Sequence, residues 1–310
     1  PCTLTLGAGA VLRNFGGMSA VRITNSAKLV MESGSVIEDE ADVISGRGDS
    51  ADATDPAKGP AGAVWLQGAA FEMEEGAVIQ NLQGRAVYVD GGSVAIGGTI
   101  RNITGNSNLW QSTTKDGTQG IAVHVRNAEA SATLAATAVI DTIRGGGSAV
   151  YVTGSENRLT AEPQSAIQNL TKTQGIYLGF GAKAQLSGEI TGVVGSNALN
   201  INDGAQAVLE AEGSIHDNVC ETAIVYLRGG AGFTIRGKIN DNASTAAENT
   251  LNKNCAAVYI VTNGDSSHAT LEAGGEICNN INRGSKYGAA VEVQQGDCSF
   301  TMNGGRIAGN

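Results

Sequence analysis

The three histidines, at positions 124, 216 and 268, stand far apart in the chain. No Ser/His/Asp or Cys/His arrangement can be assembled from that spacing, so any acid/base chemistry falls to carboxylates. Paired carboxylates on one face would move protons or hold calcium. The one dense acidic cluster is Glu38-Asp39-Glu40-Asp42, and no Asp pair sits on a strand pattern elsewhere. Just beyond it Asp49, Asp52 and Asp55 recur at three-residue spacing. They are able to share a calcium ion, yet lack the glycine and terminal glutamate of an EF-hand loop. A solvated acidic loop is the plainer reading. The sequence therefore assigns no catalytic residue, no metal site and no cofactor beyond that calcium option.

Aromatic residues offer binding chemistry instead. Short strands of the form Ala-Val-x-Val put one residue outward between buried aliphatics. In chain order the outward residues are Arg22, Trp65, Tyr88, His124, Tyr151, Tyr177, Asn200, Tyr226, Tyr259 and Glu292. Six of these ten are Trp or Tyr, although the whole chain holds only 2 Trp and 6 Tyr. A row of rings suits stacking against sugars or an extended polymer. Tyrosine also forms strands well, and ring pairs stabilise neighbouring strands with no ligand at all. Trp110, alone in a polar loop, is either an anchor for that loop or a ligand platform. Arg47-Gly48-Asp49 matches the tripeptide by which extracellular proteins engage integrins, a short signal that chance produces readily. Cys220 and Cys255 precede successive first strands and are placed to pair across adjacent coils, as export would permit.

The elements that position these residues form a repeat. In Ala223 to Asn242, AIVYLRGGAGFTIRGKINDN, three apolar alternations are separated by glycine or polar residues, which reads as three short half-buried strands. The triplet recurs throughout the 310 residues, and a unit of that length means a solenoid. The turn after each third strand, usually Gly-x-Ile-x-x-Asn, predicts a stacked column at Asn14, Asn81, Asn169, Asn218, Asn242, Asn280 and Asn310. Stacked amides would hydrogen-bond along the axis, although asparagine also tolerates the left-handed turn for its own sake. The expected fold is all-β: a right-handed, three-faced parallel β-helix of about ten coils, right-handed because parallel crossovers favour that hand. Insertions at 40–62, 104–120, 243–256 and 281–288 all follow a third strand, so they should leave from one corner. The two ends share one phase of the repeat, so residues 1–310 read as a single span of a longer protein.

Composition agrees and excludes some classes. With 44 Gly, 4 Pro and few aromatics, the core must be narrow and filled by small aliphatics. A formal net charge of −10 argues against nucleic acid or an anionic membrane as partner. No apolar run is long enough to span a bilayer.

The recurring Gly-Gly-x-Ile-x-x-Asn and Ala-Val-Tyr-Val signatures resemble the β-helical repeats of adhesin-like surface proteins of bacteria and archaea, with a pectin-lyase-like fold. The resemblance covers the whole chain and specifies fold far better than activity. It implies an extracellular or cell-surface, non-catalytic rod that presents loops and aromatic residues to a glycan or a host-surface protein. Trp65, Tyr88, Trp110, Tyr151, Tyr177, Tyr226 and Tyr259 would make the contact. A polysaccharide lyase or glycoside hydrolase on the same fold is the alternative from another class, and a purely structural stalk is the third.

Overall fold

Residues that alternate apolar and polar over three to six positions, punctuated by glycine, can bury one side only as strands. The computed structural model describes residues 2–15, 19–39, 62–105, 120–245, 256–283 and 290–310, and every regular element among them is a strand. Most of each predicted insertion lies outside the described residues, as do Arg47, Gly48, Asp49, Asp52, Asp55, Trp110 and Cys255. Each of those four stretches falls between a third strand and the next first strand.

The strands pair in parallel, repeat upon repeat. Val225–Arg228, Gly232–Ile235 and Lys238–Asn240 pair respectively with Val258–Val261, His268–Leu271 and Glu276–Cys278 of the following repeat. First and second strands share one sheet, while the third strands build another that runs unbroken through eleven strands, from Val11–Arg13 to Arg306–Ala308. The architecture is thus all-β, parallel and solenoid-like. Its core is a set of stacked aliphatic columns. Along the third strands Ile37, Ile79, Ile100, Ile140, Ile167, Ile190, Ile215, Ile239 and Ile277 lie in register and are all buried. Burying each such side chain contributes about 1.5–3 kcal/mol.

The asparagine column departs from expectation. Measured from the core residue of each third strand (Leu12, then the isoleucines), Asn14, Asn81 and Asn169 lie two positions on, whereas Asn218, Asn242, Asn280 and Asn310 lie three on. Asn14, Asn81 and Asn169 take left-handed backbone, with φ of 56°, 58° and 57°, the turn that asparagine tolerates. Side chains bond between repeats here too: Asn81 Oδ1 accepts from Asn102 Nδ2 at 3.1 Å, and Asn169 Nδ2 donates to Asp141 Oδ1 at 2.8 Å. The continuous amide-to-amide ladder is the other set. Asn218 Nδ2 donates to Asn242 Oδ1, Asn242 Nδ2 to Asn280 Oδ1, and Asn280 Nδ2 to Asn310 Oδ1, each at 2.8 Å. Every Oδ1 also accepts a backbone N–H from the preceding repeat, from Val193, Asn218, Asn242 and Asn280 in turn.

The same inward position is aliphatic earlier in the chain, at Leu82, Ile103, Ile143, Leu170 and Val193. There the third strand runs through the turn as six residues, as in Val139–Arg144 and Glu189–Val194. Where asparagine takes over, the strand breaks into Ser214–His216 and Val219–Cys220. The buried side-chain amide then supplies partners to backbone groups that the interrupted ladder leaves over.

Candidate functional site

The outward column of the first strand is continuous. Arg22 pairs with Trp65, Trp65 with Tyr88, Tyr88 with His124, and so on without a slip through Tyr151, Tyr177, Asn200, Tyr226 and Tyr259 to Glu292. Strands one repeat apart are about 4.8 Å apart, which is close to the contact distance of stacked rings. The rings accordingly cover one another. Tyr151 and Tyr177 stack with centroids 4.7 Å apart and planes 5° from parallel. His124 sits edge-on between Tyr88 and Tyr151, at 5.0 and 4.7 Å. Tyr226 and Tyr259 are tilted at 5.3 Å, and the Arg22 guanidinium lies 4.4 Å over the Trp65 ring.

This packing corrects the picture of an open aromatic face. Trp65, Tyr88 and Tyr259 are buried, while Tyr151, Tyr177 and Tyr226 are half-buried. The stacked faces of Tyr151 and Tyr177 are taken by their neighbours, so a sugar ring cannot lie on them. What remains accessible is ring edge and hydroxyl. Tyr259 spends its hydroxyl on Gln294 Oε1 at 2.7 Å. Burial foremost, with the Tyr177 hydroxyl adding to it, pushes the Tyr151 phenol up to about 12, so that group stays a neutral donor.

A concavity of about 470 Å³ opens beside the middle of the column, lined by Arg85, His124, Arg126, Asn127, Tyr151, Thr153, Gly154 and Phe180. It arises from a mismatch in corner length. Arg126 and Ala130, four residues apart, pair with Asp90 and Gly92, only two apart. The extra residues bulge outward, with Asn127 left-handed at φ 68° and its Nδ2 donating to Asp90 Oδ1 at 2.9 Å. His124 is 5% exposed, and neither ring nitrogen has a hydrogen-bond partner. A second hollow of about 560 Å³ lies over the third-strand turns, between Arg13, Glu38, Asn81, Asn102 and Arg144. Asp39 lines it as well, and its more accessible carboxylate is already engaged: hydrogen bonds from Gln80 and then Arg13 hold Glu38 below the usual range.

No protein-family model, curated protein or solved structure matches the chain.

The residues singled out for acid/base or metal chemistry are dispersed. Of the acidic cluster, Glu38 is paired with Arg13 and Asp39 is buried, while Glu40 and Asp42 lie outside the described residues. His216 lies beside Asp217 and Glu189, and His268 bonds Ser299, each on a different repeat from His124. Among the described residues no group of three His, Cys, Asp or Glu side chains could hold a metal ion, and no helix is long and apolar enough to cross a membrane. Cys220 is buried, and its expected partner Cys255 lies outside the described residues.

Arg85, Arg126 and Phe180 were not marked by the repeat pattern. The available signal was the unequal spacing between first and second strands around Val125. Burial, followed by the nearby Arg85 and Arg126 charges, holds the His124 imidazole well below its ordinary 6.5. A folded-state pKa below the unfolded value gives stability that is present above about pH 6.5 and lost as the pH falls. The melting temperature of the wild type should therefore fall on acidification more steeply than that of His124→Phe, which keeps a ring in the stack but takes up no proton. Parallel melting profiles for the two proteins would contradict this.

Proposed function

We propose that the chain is a non-catalytic rod of the adhesin-like kind, a right-handed, three-faced parallel β-helix that acts at a cell surface or as a secreted protein. Parallel crossovers are right-handed in nearly all known cases, and three strands per repeat provide three walls. The rod engages a glycan or host surface along the half-buried tyrosine edge. The single observation carrying this reading is the ten-position column that keeps one register from Arg22 to Glu292, in which the half-buried Tyr151, Tyr177 and Tyr226 present ring edges at whole multiples of the strand spacing. A repeating polymer meets such an edge by hydrogen bonds to hydroxyls rather than by stacking on ring faces.

The test is conservative. Tyr177→Phe/Tyr226→Phe removes two hydroxyls and keeps both rings in the stack. Against a panel of neutral and acidic polysaccharides, the wild type should retain at least one. The double variant should bind it about tenfold more weakly, the worth of one to two hydrogen bonds, and stay folded, with its melting temperature lowered by no more than the loss of the Tyr177–Asn202 hydrogen bond accounts for. Equal binding by both proteins, or no binding by the wild type, would reject the reading. In that case the rod is a stalk, a role favoured by the burial of Trp65, Tyr88 and Tyr259.

A further inference from the structure

The pocket beside His124 has properties that a packing role does not explain. Among the described residues its lining includes two guanidinium groups, Arg85 and Arg126, and no carboxylate, in a chain whose net charge is −10. The imidazole of His124 is buried in its wall with both nitrogens unpartnered. Buried polar groups are nearly always satisfied, so two unpartnered nitrogens on one ring in a pocket wall call for an explanation. A neutral imidazole offers one N–H donor and one bare nitrogen acceptor, so its complement carries both an acceptor oxygen and a hydroxyl.

Phe180 supplies a second, independent observation. Its ring is 62% exposed, and its backbone is left-handed at φ 53°. The following repeats place Asp203 and Gly229 at the equivalent corner, with φ of 50° and 65°. A bulky aromatic in that conformation is unusual, and such strain is found at ligand clamps. Phe180 and the free edge of Tyr151 give the cationic pocket an apolar rim.

We propose that this pocket binds a hydroxylated oxyanion, of the chemical class of sugar phosphates and sugar sulfates. Arg126 holds the anionic group beside the Arg85 charge, His124 donates to one ligand oxygen while accepting from a ligand hydroxyl, and Phe180 borders the ring. A cavity of about 470 Å³ lies in the size range of small-molecule sites. The site shares His124 and Tyr151 with the ten-position column, and it stands if the tyrosine edge binds nothing.

Titration calorimetry on the whole chain tests it with four probes: a hexose phosphate, a hexose sulfate, inorganic phosphate and the neutral hexose. Both hexose esters or one of them should saturate a single site, inorganic phosphate should bind more weakly, and the neutral hexose should bind least. Arg126→Ala, at an exposed position, should weaken the ester by about tenfold or more, as loss of a charge-assisted hydrogen bond implies. His124→Phe should weaken it comparably while keeping the ring stack. Tyr177→Phe/Tyr226→Phe, which probes the glycan edge, should leave ester binding unchanged. Absence of ester binding by folded wild type overturns the proposal, as does equal affinity for the neutral hexose. Binding indifferent to both Arg126→Ala and His124→Phe overturns it as well.

Discussion

Replacing Asn242 by alanine is expected to cost about 3–5 kcal/mol of local stability, the upper range for a point change, because it orphans several buried groups at once. Asn242 Oδ1 accepts from both the backbone N–H and the Nδ2 of Asn218, and its own Nδ2 donates to Ile215 O and Asn280 Oδ1. None of these partners reaches water easily, since Asn218 and Asn280 are 0% and 2% exposed. The loss should appear as faster amide hydrogen exchange around residues 190–245, since each repeat in a solenoid leans on its neighbours. Replacing Asn218, Asn242 and Asn280 together by leucine should cost less than three times the single change. Leu82, Ile103, Ile143 and Leu170 already occupy that position without any amide. Removing the three amides together spares the amide-to-amide orphans that each single change creates, leaving the backbone groups they served and Asn310 Oδ1. A cost near 1 kcal/mol for Asn242→Ala, or strict additivity in the triple variant, would contradict the ladder as described.

Gly237→Ala should be nearly as damaging, at about 3 kcal/mol, the upper end for forced overpacking. Ile235 and Lys238 are joined by two residues, while the corner they pair with, from Leu209 to Ser214, has four. The short corner therefore tucks against the backbone of the wide one. A Cβ at Gly237 would lie 2.2 Å from Gly213 O and 2.3 Å from Glu210 O. Neither carbonyl can swing aside without breaking a backbone hydrogen bond, from the Lys238 N–H to Gly213 O and from the Gly213 N–H to Glu210 O. At Gly7 the nearest atom is a Glu32 side-chain oxygen at 3.5 Å, so Gly7→Ala is the control and should be close to neutral in chemical denaturation. Equal midpoints for the two variants would remove the tight-corner explanation.

The architecture was legible because it rests on two short-range signals. Alternation placed Val225, Leu227, Phe233 and Ile235 inside, and the Gly-x-Ile motif fixed where each third strand begins. The ten outward positions came out in their true register for the same reason. The asparagines were less legible, since two adjacent columns both favour asparagine for different reasons. One position, as at Asn81, needs a left-handed backbone; the next, as at Asn218, faces the interior. Counting from the core isoleucine separates them, two residues against three, whereas matching asparagine to asparagine merges them.

The candidate sites were harder still. Alternation says that Tyr88 points away from the aliphatic core, but it cannot say that His124 lies against its ring and buries it. Solvent exposure of an outward residue depends on what the adjacent repeat places above and below it. The pocket at Arg126 depends on a difference between two corner lengths, a property of neighbouring repeats rather than of any one motif. Neither quantity is written in a single repeat.

The central claim is that successive repeats stack strand on strand, with each repeat advancing one strand spacing regardless of its length in residues. Spin labels on the second-strand column test it most directly. Thr133, Thr160, Gln185, Val208, Thr234, Thr270 and Thr301 follow one another in register. With one label fixed at Thr133, partners at Val208, Thr234, Thr270 and Thr301 should lie at backbone separations of about 14, 19, 24 and 29 Å, equal steps of one strand spacing each. The step from Thr234 to Thr270 should match that from Val208 to Thr234, although the first spans 36 residues and the second 26. Distances that instead grow with the number of intervening residues, or that fail to rise steadily along the column, would contradict the stacked solenoid.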